Sequence, residues 1–445
     1  MFSRIIRNKT FIQNRLLSTI VPHEQSREVN YVKTSKITSK KQHEKELQEF
    51  LNNDNDIKSI KQHIPTILLN RTYDPSAIYL IDKKVATLIA CAIRKNIPIK
   101  NTKNIQILEA NPGLGLLTDE LIKKGFQNIS LFESKVHFFN YLIDKYENRN
   151  MYINCDDFFS IWKLAYQDRF DNGTRVADLL ENFKLTSWTS GSSGMKIIGS
   201  IPNTTFIKHM IYSVILQIGL VMYGRPEMFL VMQPSVYLQL TAQPDDGFMS
   251  YRSSSVLFQL LFNSEIVEKL PRESYLPWQY LRSKKRSTSP FKGIDPDYLY
   301  LVHISGKKVL PVPNNELQPL WYFVRHHMLS RTNRVIPQLE RWIPGSGSKF
   351  IAASTRSSDK RDKFKNIGIF TKFGELTPEQ ILELFKQFAS MPEYQESPFL
   401  ASMETSLLKL ESNEESANAV EITDANHNEQ ELFEENNENI PEKSR

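Results

Sequence analysis

The stretch IQILEANPGLGLLT, residues 105–118, decides the fold of this chain. It begins with a short apolar strand that ends at Glu109, and two glycines then lead into a helix that we predict to begin near Thr118. A strand, a glycine-rich turn and a helix bring the backbone close to a ligand and point helix N–H groups at it. The pattern is weak evidence by itself, because residues 116–118 lack the third glycine of the dinucleotide-binding fingerprint.

Acids at the ends of the next two predicted strands strengthen this interpretation. The strand at 129–132 ends in Glu133, about twenty residues after the glycines, where such folds place an acid on the hydroxyls of a ribose. The strand at 151–154 is followed by Asp156 and Asp157, where an acid can contact the base of a nucleoside. Capping of the following helix is an equally good explanation for either aspartate.

Strands and helices keep alternating after this unit. The predicted elements are strands at 195–199, 228–232 and 298–303 and helices at 205–219 and 235–240. Residues 166–193 are rich in Asp, Ser and Gly and predict an insertion or lid. We therefore expect a doubly wound α/β domain over residues 65–310, followed by a helical domain over residues 311–403.

The N-terminus indicates the compartment. Residues 1–22 contain four basic residues and no acid, and apolar residues recur among them at roughly helical spacing, as is typical of a mitochondrial presequence. We expect location in the mitochondrial matrix, and a frayed basic N-terminus is the alternative. The two cysteines, Cys91 and Cys155, are predicted to be reduced and buried. The longest apolar run, residues 210–223, is too short to span a bilayer, so no membrane span is predicted.

Charge is distributed unevenly along the chain. Residues 411–445 contain eleven acids and two basic residues, a net charge of −9, so residues 1–410 carry +15 within the total of +6. A basic body predicts a polyanionic partner. Residues 23–64 are predicted to be a polar extension, and residues 404–445 an acidic, disordered tail.

Over residues 65–399 the chain resembles the rRNA adenine N6-dimethyltransferase family, and within it the mitochondrial transcription factor B branch. The family's Glu-x-Gly-Pro-Gly-x-Gly-x-Leu-Thr motif corresponds here to Glu109, Asn111, Pro112, Gly113, Gly115, Leu117 and Thr118. Asn111 thus replaces the first glycine. The family's Gln-Asn-Phe-Leu element corresponds to residues 77–80, which keep an aromatic residue and Leu80.

The resemblance implies a class I methyltransferase-like fold and a site for S-adenosylmethionine. The residues implied for that site are Leu80, Glu109, Asn111, Gly113, Gly115, Glu133, Asp156 and Asp157. Asn111 adds a side chain where the family has none, so the cofactor site can be vestigial.

The family's catalytic motif is degenerate in this chain. Active members carry Asn-Leu-Pro-Tyr or Asn-Ile-Pro-Phe after the fourth strand. The asparagine and a backbone carbonyl accept hydrogen bonds from the adenine amine, and the aromatic ring stacks on the flipped base. Here the four residues are Ser200, Ile201, Pro202 and Asn203. We therefore expect methyl transfer to be lost.

The transcription factor branch implies a different role. In it the methyltransferase body helps a single-subunit mitochondrial RNA polymerase to open promoter DNA and holds the melted strand. The cations that the branch implies for nucleic-acid contact are Arg325, Arg331 and Arg334. Charge alone adds a basic loop with Arg282, Lys284, Lys285 and Arg286, and a second basic segment at 356–365 fits strand capture equally well. A working mitochondrial rRNA dimethyltransferase is the competing hypothesis, with rRNA as the partner.

Aromatic and histidine residues near these cations have simpler explanations. Trp321 follows the apolar spacing of a helix, which favours a place in the core over contact with a base. His326 and His327 have no further ligand at metal-binding spacing, so we predict solvated helix positions and no metal site.

Overall fold

The computed structural model describes residues 45–52, 58, 60–70, 77–97, 105–149, 151–189, 195–247, 249–278, 297–356 and 367–412. The chain divides into two compact units, residues 1–54 and 55–445. In the first unit, residues 45–52 are helical. All elements described below belong to the second unit.

The second unit is built on a mainly parallel sheet. Its strands and those of a small ribbon are β1 Tyr79–Leu80, β2 Gln106–Ala110, β3 Asn128–Phe132, β4 Tyr152–Asn154, β5 Met195–Ser200, β6 Glu227–Met232, β7 Phe262–Pro271, β8 Tyr275–Leu276 and β9 Tyr298–Gly306. The seven-stranded sheet has the order β4-β3-β2-β5-β6-β9-β7. Its first five strands are parallel, and β9 pairs antiparallel with both β6 and β7. β1 and β8 pair antiparallel as a separate ribbon. The doubly wound α/β class is confirmed.

Helices follow and flank the strands. Their bounds are α1 Thr66–Asn70, α2 Lys83–Asn96, α3 Leu116–Lys123, α4 Val136–Tyr146, α5 Ile161–Asp171, α6 Arg175–Leu179, α7 Thr205–Leu216, α8 Pro234–Thr241, α9 Ser253–Leu261, α10 Leu317–Leu329, α11 Val335–Trp342, α12 Ser346–Arg356, α13 Pro378–Ala389 and α14 Pro398–Ser412. The predicted elements recur with ends shifted by a few residues. The final strand, for example, continues to Gly306.

The strand order creates a crevice at the carboxyl ends of the central parallel strands. The chain runs outward from β2 through β3 to β4 and then returns to place β5 on the other side of β2. β2 pairs with both neighbours in parallel, with Ala110 opposite Phe132 and Gly199. The loops after these strands diverge at this point, which is where open α/β sheets bind ligands.

Two apolar clusters cover the two faces of the sheet. One includes residues of α2, α3 and α4, and the other continues from the α5 to α9 side into the C-terminal helices as far as Met403. The helical region therefore shares its core with the sheet, and the boundary at 310/311 stays a prediction. The predicted insertion at 166–193 is not a lid in its described part, because Leu180 and Phe183 are buried in that core.

The C-terminal helix differs from the sequence prediction. A disordered tail was expected from residue 404, but α14 continues to Ser412. Met403 is buried, and Leu407 packs against the same core. This apolar contact explains why the helix extends beyond the predicted boundary.

Candidate cofactor and nucleic-acid sites

The glycine turn after β2 has the conformation that its sequence requires. Gly113 and Gly115 have φ values of +59° and +67°, and Gly115 is the N-cap of α3. Asn111, with φ of +54°, adopts the same left-handed region, which asparagine tolerates better than most residues. Its Oδ1 accepts a hydrogen bond of 2.8 Å from Ser134 Oγ. The side chain that replaces the family's glycine thus ties this turn to the loop after β3.

Glu109 lies buried at the end of β2. Its Oε2 accepts a hydrogen bond of 2.8 Å from Thr118 Oγ1, so the strand is linked to the first turn of α3. Burial raises the pKa of Glu109 to about 7, opposed by the Thr118 hydrogen bond and the charge of Lys145. This carboxyl group can therefore hold a proton at neutral pH.

Glu133 lies at the end of β3 and reaches the glycine turn, as its position in the sequence predicts. Its Oε2 accepts from the Gly113 N–H at 2.9 Å, and its Oε1 accepts from the Lys135 N–H at 2.8 Å and from the Tyr79 hydroxyl at 3.1 Å. Burial raises the pKa of Glu133 to about 7, and the two backbone N–H groups oppose this shift. Both oxygens are thus engaged by the chain itself.

Tyr79 of β1 fills the space beside the glycine turn. A methyl group added at Gly113 would lie 2.8 Å from Cδ1 of Tyr79. The ring also packs on Phe138, with 4.8 Å between ring centroids. Burial, followed by the charge of Glu133, raises the pKa of Tyr79 well above its ordinary value. Tyr79 is the aromatic residue that the chain keeps from the family's Gln-Asn-Phe-Leu element, and the one sequence signal of its further role is a hydroxyl in place of the Phe.

Side chains of this chain also fill the space at the end of β5, where the degenerate motif begins. Tyr275 pairs with the predicted cofactor residue Leu80 across the β1–β8 ribbon and is buried. Burial raises the pKa of Tyr275, and the nearby Ser200 side chain opposes this shift. Ile201 and Pro202 are buried. Asn203 Oδ1 accepts from the Thr205 N–H at 3.0 Å at the start of α7. The carboxamide of the degenerate motif therefore closes a turn of its own backbone.

The two aspartates after β4 differ from each other. Asp156 is exposed, whereas Asp157 is half-buried and its Oδ2 accepts from Ser160 Oγ at 2.7 Å. Asp157 Oδ1 is buried and has no hydrogen-bond partner among the residues that the structure describes. Asp157 thus ties down the turn that follows it and still keeps one acceptor for a ligand.

These residues fit an adenosyl group on one condition. Gly113, Glu133 and Asp157 lie at the carboxyl ends of β2, β3 and β4, which is the arrangement that binds a nucleoside in such sheets. Among the described residues, Glu133 Oε2 accepts only from the Gly113 N–H and keeps a lone pair for one ribose hydroxyl, whereas a second ribose hydroxyl at Oε1 requires the Tyr79 hydroxyl to give up its hydrogen bond.

The predicted nucleic-acid cations lie in different environments. Arg334 is exposed, and its guanidinium lies 4.9 Å from the centroid of the Phe370 ring. Arg325 is half-buried, 5.4 Å from the centroid of Trp321, which is a core residue as expected. Arg331 is instead buried, and its Nη1 donates to the Tyr251 carbonyl at 2.8 Å. Its prediction as a nucleic-acid contact is corrected, because its guanidinium anchors the backbone. Outside the described residues lie Arg282, Lys284, Lys285 and Arg286.

Three smaller predictions also need correction. His327 is buried rather than solvated, with its ring stacked 4.1 Å from that of Phe373, and burial lowers its pKa well below the ordinary value. Cys155 is exposed and Cys91 half-buried, although both were expected in the core.

In the described ranges, no three His, Cys, Asp or Glu side chains are grouped so as to hold a metal ion. None of the described helices has the length and apolar character needed to cross a membrane.

Comparison with known proteins identifies the family. The family model for ribosomal RNA adenine dimethylase matches residues 69–389. "Dimethyladenosine transferase 2, mitochondrial" of Drosophila melanogaster is 36% identical over 381 residues, 78% of this chain and 83% of the relative. The Rattus norvegicus protein of the same name is 25% identical over 53% of this chain and 60% of its own length. Among solved structures, 23S rRNA methyltransferase ErmE has a TM-score of 0.43 and 17% identity, covering 70% of this chain and 100% of that one. The chain belongs to the ribosomal RNA adenine dimethylase family.

Proposed function

We propose that this protein is a mitochondrial transcription initiation factor, which assists a single-subunit RNA polymerase in recognising and opening promoter DNA. It uses a methyltransferase fold that no longer transfers methyl groups. The similar proteins of fly and rat are named mitochondrial, and the basic, acid-free residues 1–22 support import into the matrix. The net charge of +15 on residues 1–410 supports a polyanionic partner such as promoter DNA or its melted strand.

The observation that carries the loss of catalysis is the segment Ser200–Asn203. An enzyme that methylates a flipped adenine needs an acceptor for the amine and a ring to stack on the base. The Ser200 side chain is shorter than an asparagine and lies next to the buried Tyr275, and Asn203 has no ring and its Oδ1 accepts from the Thr205 N–H. Neither requirement is met by these side chains.

The cofactor site supports the same conclusion. When bound, S-adenosylmethionine supplies an electrophilic methyl group, and Glu133, Gly113 and Asp157 are the residues that would hold its nucleoside part. The Tyr79 hydroxyl donates a hydrogen bond to Glu133, and the Tyr79 ring packs against Gly113. Tyr79 therefore occupies part of the space and one of the acceptor positions that the cofactor would use. We propose that cofactor binding is weak and vestigial.

One group of observations favours a second candidate, an active rRNA adenine N6-dimethyltransferase. Glu109 accepts a hydrogen bond from Thr118, and Gly113 and Gly115 both adopt the left-handed conformation. Asp157 Oδ1 is buried and has no hydrogen-bond partner among the described residues, as expected of an acceptor kept for a ligand. This candidate requires Ser200 to accept the adenine amine and another residue to stack on the base.

A methylation assay separates the two candidates. The full chain without residues 1–22 is incubated with labelled S-adenosylmethionine and a small-subunit rRNA hairpin, beside an active family member. We expect no transfer in this chain while the control is active. Transfer that disappears in Glu133→Ala would establish the enzyme instead.

Promoter-dependent transcription then tests the proposed role directly. The protein is added to its mitochondrial RNA polymerase on duplex and on pre-melted promoter templates. We expect strong stimulation on the duplex and little on the pre-melted template, because opening is the assisted step. Equal transcription with and without the protein on both templates would contradict the proposal.

A further inference from the structure

An exposed aromatic ring and an arginine lie together on the surface of the helical region. Phe370 is 71% exposed, although a phenylalanine side chain ordinarily lies in the core. The guanidinium of Arg334 lies 4.9 Å from the centroid of its ring. A cation near the ring leaves most of an apolar, polarisable surface in water, which is the arrangement of a stacking site rather than of a packed core.

Two cations are opposed next to this ring. Arg334 and Lys372 are partners in an antiparallel bridge. The Val335 N–H donates to the Thr371 carbonyl at 2.9 Å, and the Phe373 N–H to the Asn333 carbonyl at 3.1 Å, so hydrogen bonds flank the pair on both sides. Directly opposite residues project their side chains from the same face, and like charges placed so destabilise the pairing. An anion bound between them would remove that cost.

The backbone holds this surface in place. The Thr371 N–H donates to the Gly368 carbonyl at 3.1 Å, and the Gly368 N–H donates to Thr371 Oγ1 at 2.9 Å, which closes a turn around Phe370. Ile367 and Phe373 on either side of the turn are buried. One acid lies near, because Glu375 accepts from the Lys372 backbone N–H at 3.0 Å. The turn therefore presents a fixed ring with two cations and one carboxylate.

We propose that Phe370, Arg334 and Lys372 form a binding site for single-stranded nucleic acid. A base stacks on the Phe370 ring, and the neighbouring phosphates lie beside Arg334 and Lys372. Each nucleotide carries both a flat π-face and a negative charge, so one partner satisfies the ring and the two cations together. The choice of nucleic acid as the partner rests on the proposed function.

Binding of a fluorescent single-stranded DNA of about 16 nucleotides tests the site. Phe370→Ala is expected to weaken binding about tenfold, whereas Phe370→Tyr retains affinity because it retains the ring. Phe170→Ala is the matched control, since Phe170 is 64% exposed and lies on α5. Because both phenylalanines are exposed, all variants should unfold at nearly the wild-type temperature. Equal affinity of Phe370→Ala and Phe170→Ala would overturn the proposal.

Two further measurements distinguish base stacking and phosphate contacts from non-specific binding. A 2-aminopurine in the oligonucleotide should be quenched on binding to the wild type and to Phe370→Tyr but not to Phe370→Leu. Arg334→Gln and Lys372→Gln should each lower the slope of log affinity against log salt by about one. Equal quenching by Phe370→Leu and Phe370→Tyr would contradict stacking, and unchanged slopes would contradict the phosphate contacts.

The transcription assay keeps this inference separate from the proposed function. If the wild type fails to stimulate transcription but Phe370→Ala still weakens DNA binding, the function fails and the site stands. If stimulation occurs while Phe370→Ala binds DNA normally, the site fails and the function stands. If Phe370→Ala loses binding to the polymerase alone, the surface is a protein interface and the proposal is wrong.

Discussion

Tyr79 carries a hydroxyl group where the related family has phenylalanine, and this hydroxyl donates to Glu133 at 3.1 Å. Tyr79→Phe keeps the ring against Gly113 and frees one acceptor of Glu133. We expect the affinity for S-adenosylhomocysteine, measured by titration calorimetry, to rise about tenfold, since a hydrogen bond to a charged group contributes about 1.5–3 kcal/mol. For the same reason, the removed bond should cost about 1.5 kcal/mol or more of folding stability.

Tyr251→Phe is the control for this comparison. The Tyr251 hydroxyl is also buried and donates to the Leu376 carbonyl at 2.7 Å, so its removal costs a similar hydrogen bond at another place. It should leave the affinity for S-adenosylhomocysteine unchanged. If Tyr79→Phe and the wild type bind equally, the hydroxyl does not compete with a ribose.

Glu109 makes stability depend on pH in a defined direction. Its pKa in the folded protein is about 7, above its ordinary value of 4.5, so the folded state binds the proton more tightly than the unfolded state. This contribution is complete below pH 4.5 and is lost as pH rises through 7. Glu109→Gln has no such loss and can still accept from Thr118. Relative to wild type, its free energy of unfolding in urea should therefore rise by about 2 kcal/mol between pH 5 and pH 8.

Glu340→Gln is the matched control for the pH experiment. Hydrogen bonds from the Gly345 and Gly347 N–H groups lower the pKa of Glu340, so its contribution is lost only as pH falls below its ordinary range. The difference between this variant and the wild type should stay constant from pH 5 to pH 8. A constant difference for Glu109→Gln as well would show that Glu109 titrates normally in the folded state.

The residues that escaped prediction are those whose surroundings come from distant parts of the chain. Glu133 was placed correctly because strand order and sequence spacing alone bring it to the glycine turn. His327 is buried because Phe373, 46 positions later in the chain, stacks on its ring. Arg331 likewise bonds the backbone of Tyr251. Helical periodicity predicts which face of its helix a residue occupies, but it does not predict which other element packs against that face.

At the scale of elements, the strand–turn–helix unit depends on a close approach between β1 and the glycine turn. A methyl group at Gly113 would meet Tyr79 at 2.8 Å, whereas one at Gly125, with φ of +88°, would meet no atom within 4 Å. Both glycines have positive φ, so alanine strains the backbone at both positions. We expect Gly113→Ala to cost about 1 kcal/mol or more beyond Gly125→Ala in thermal or urea unfolding.

A Tyr79→Ala background isolates the contact in that comparison. With the ring removed, Gly113→Ala should cost no more than Gly125→Ala, because only backbone strain remains. If the excess cost of Gly113→Ala persists without the ring, it does not arise from Tyr79. The same double-mutant cycle measures how strongly the β1–β8 ribbon is coupled to the turn.

Elements whose apolar residues recur with a regular helix or strand period were predictable from the sequence. Elements whose residues are partly buried and partly exposed without such a period were not. The N-terminus of α13 is a capping box of the kind that sequence shows directly, with Thr377 Oγ1 accepting from the Gln380 N–H at 3.3 Å. β7, a strand of ten residues at the sheet edge, escaped notice because most of its middle residues are exposed or half-buried. An edge strand gains its hydrogen bonds from β9, which no local pattern reveals.

At the scale of the whole molecule, charge is separated along the chain. The core is continuous from the sheet to the C-terminal helices and reaches Met403, and α14 ends at Ser412. Residues 413–445 carry ten acids and two basic residues, a net charge of −8, which leaves +14 on the preceding residues. The sequence predicted this contrast, and the structure adds the point at which a truncation leaves α14 whole.

Removal of residues 413–445 should strengthen non-specific binding to DNA. A chain of acids attached to a basic body competes with phosphates for the same cations, so its loss frees them. We expect the truncated protein to bind a random duplex severalfold more tightly at low salt, and the difference to vanish as salt screens both interactions. A variant that keeps the full length but replaces the ten acids with Asn or Gln is the control for chain length, and it should match the truncation. Equal affinities of all three proteins at low salt would mean that the acids only keep the protein soluble.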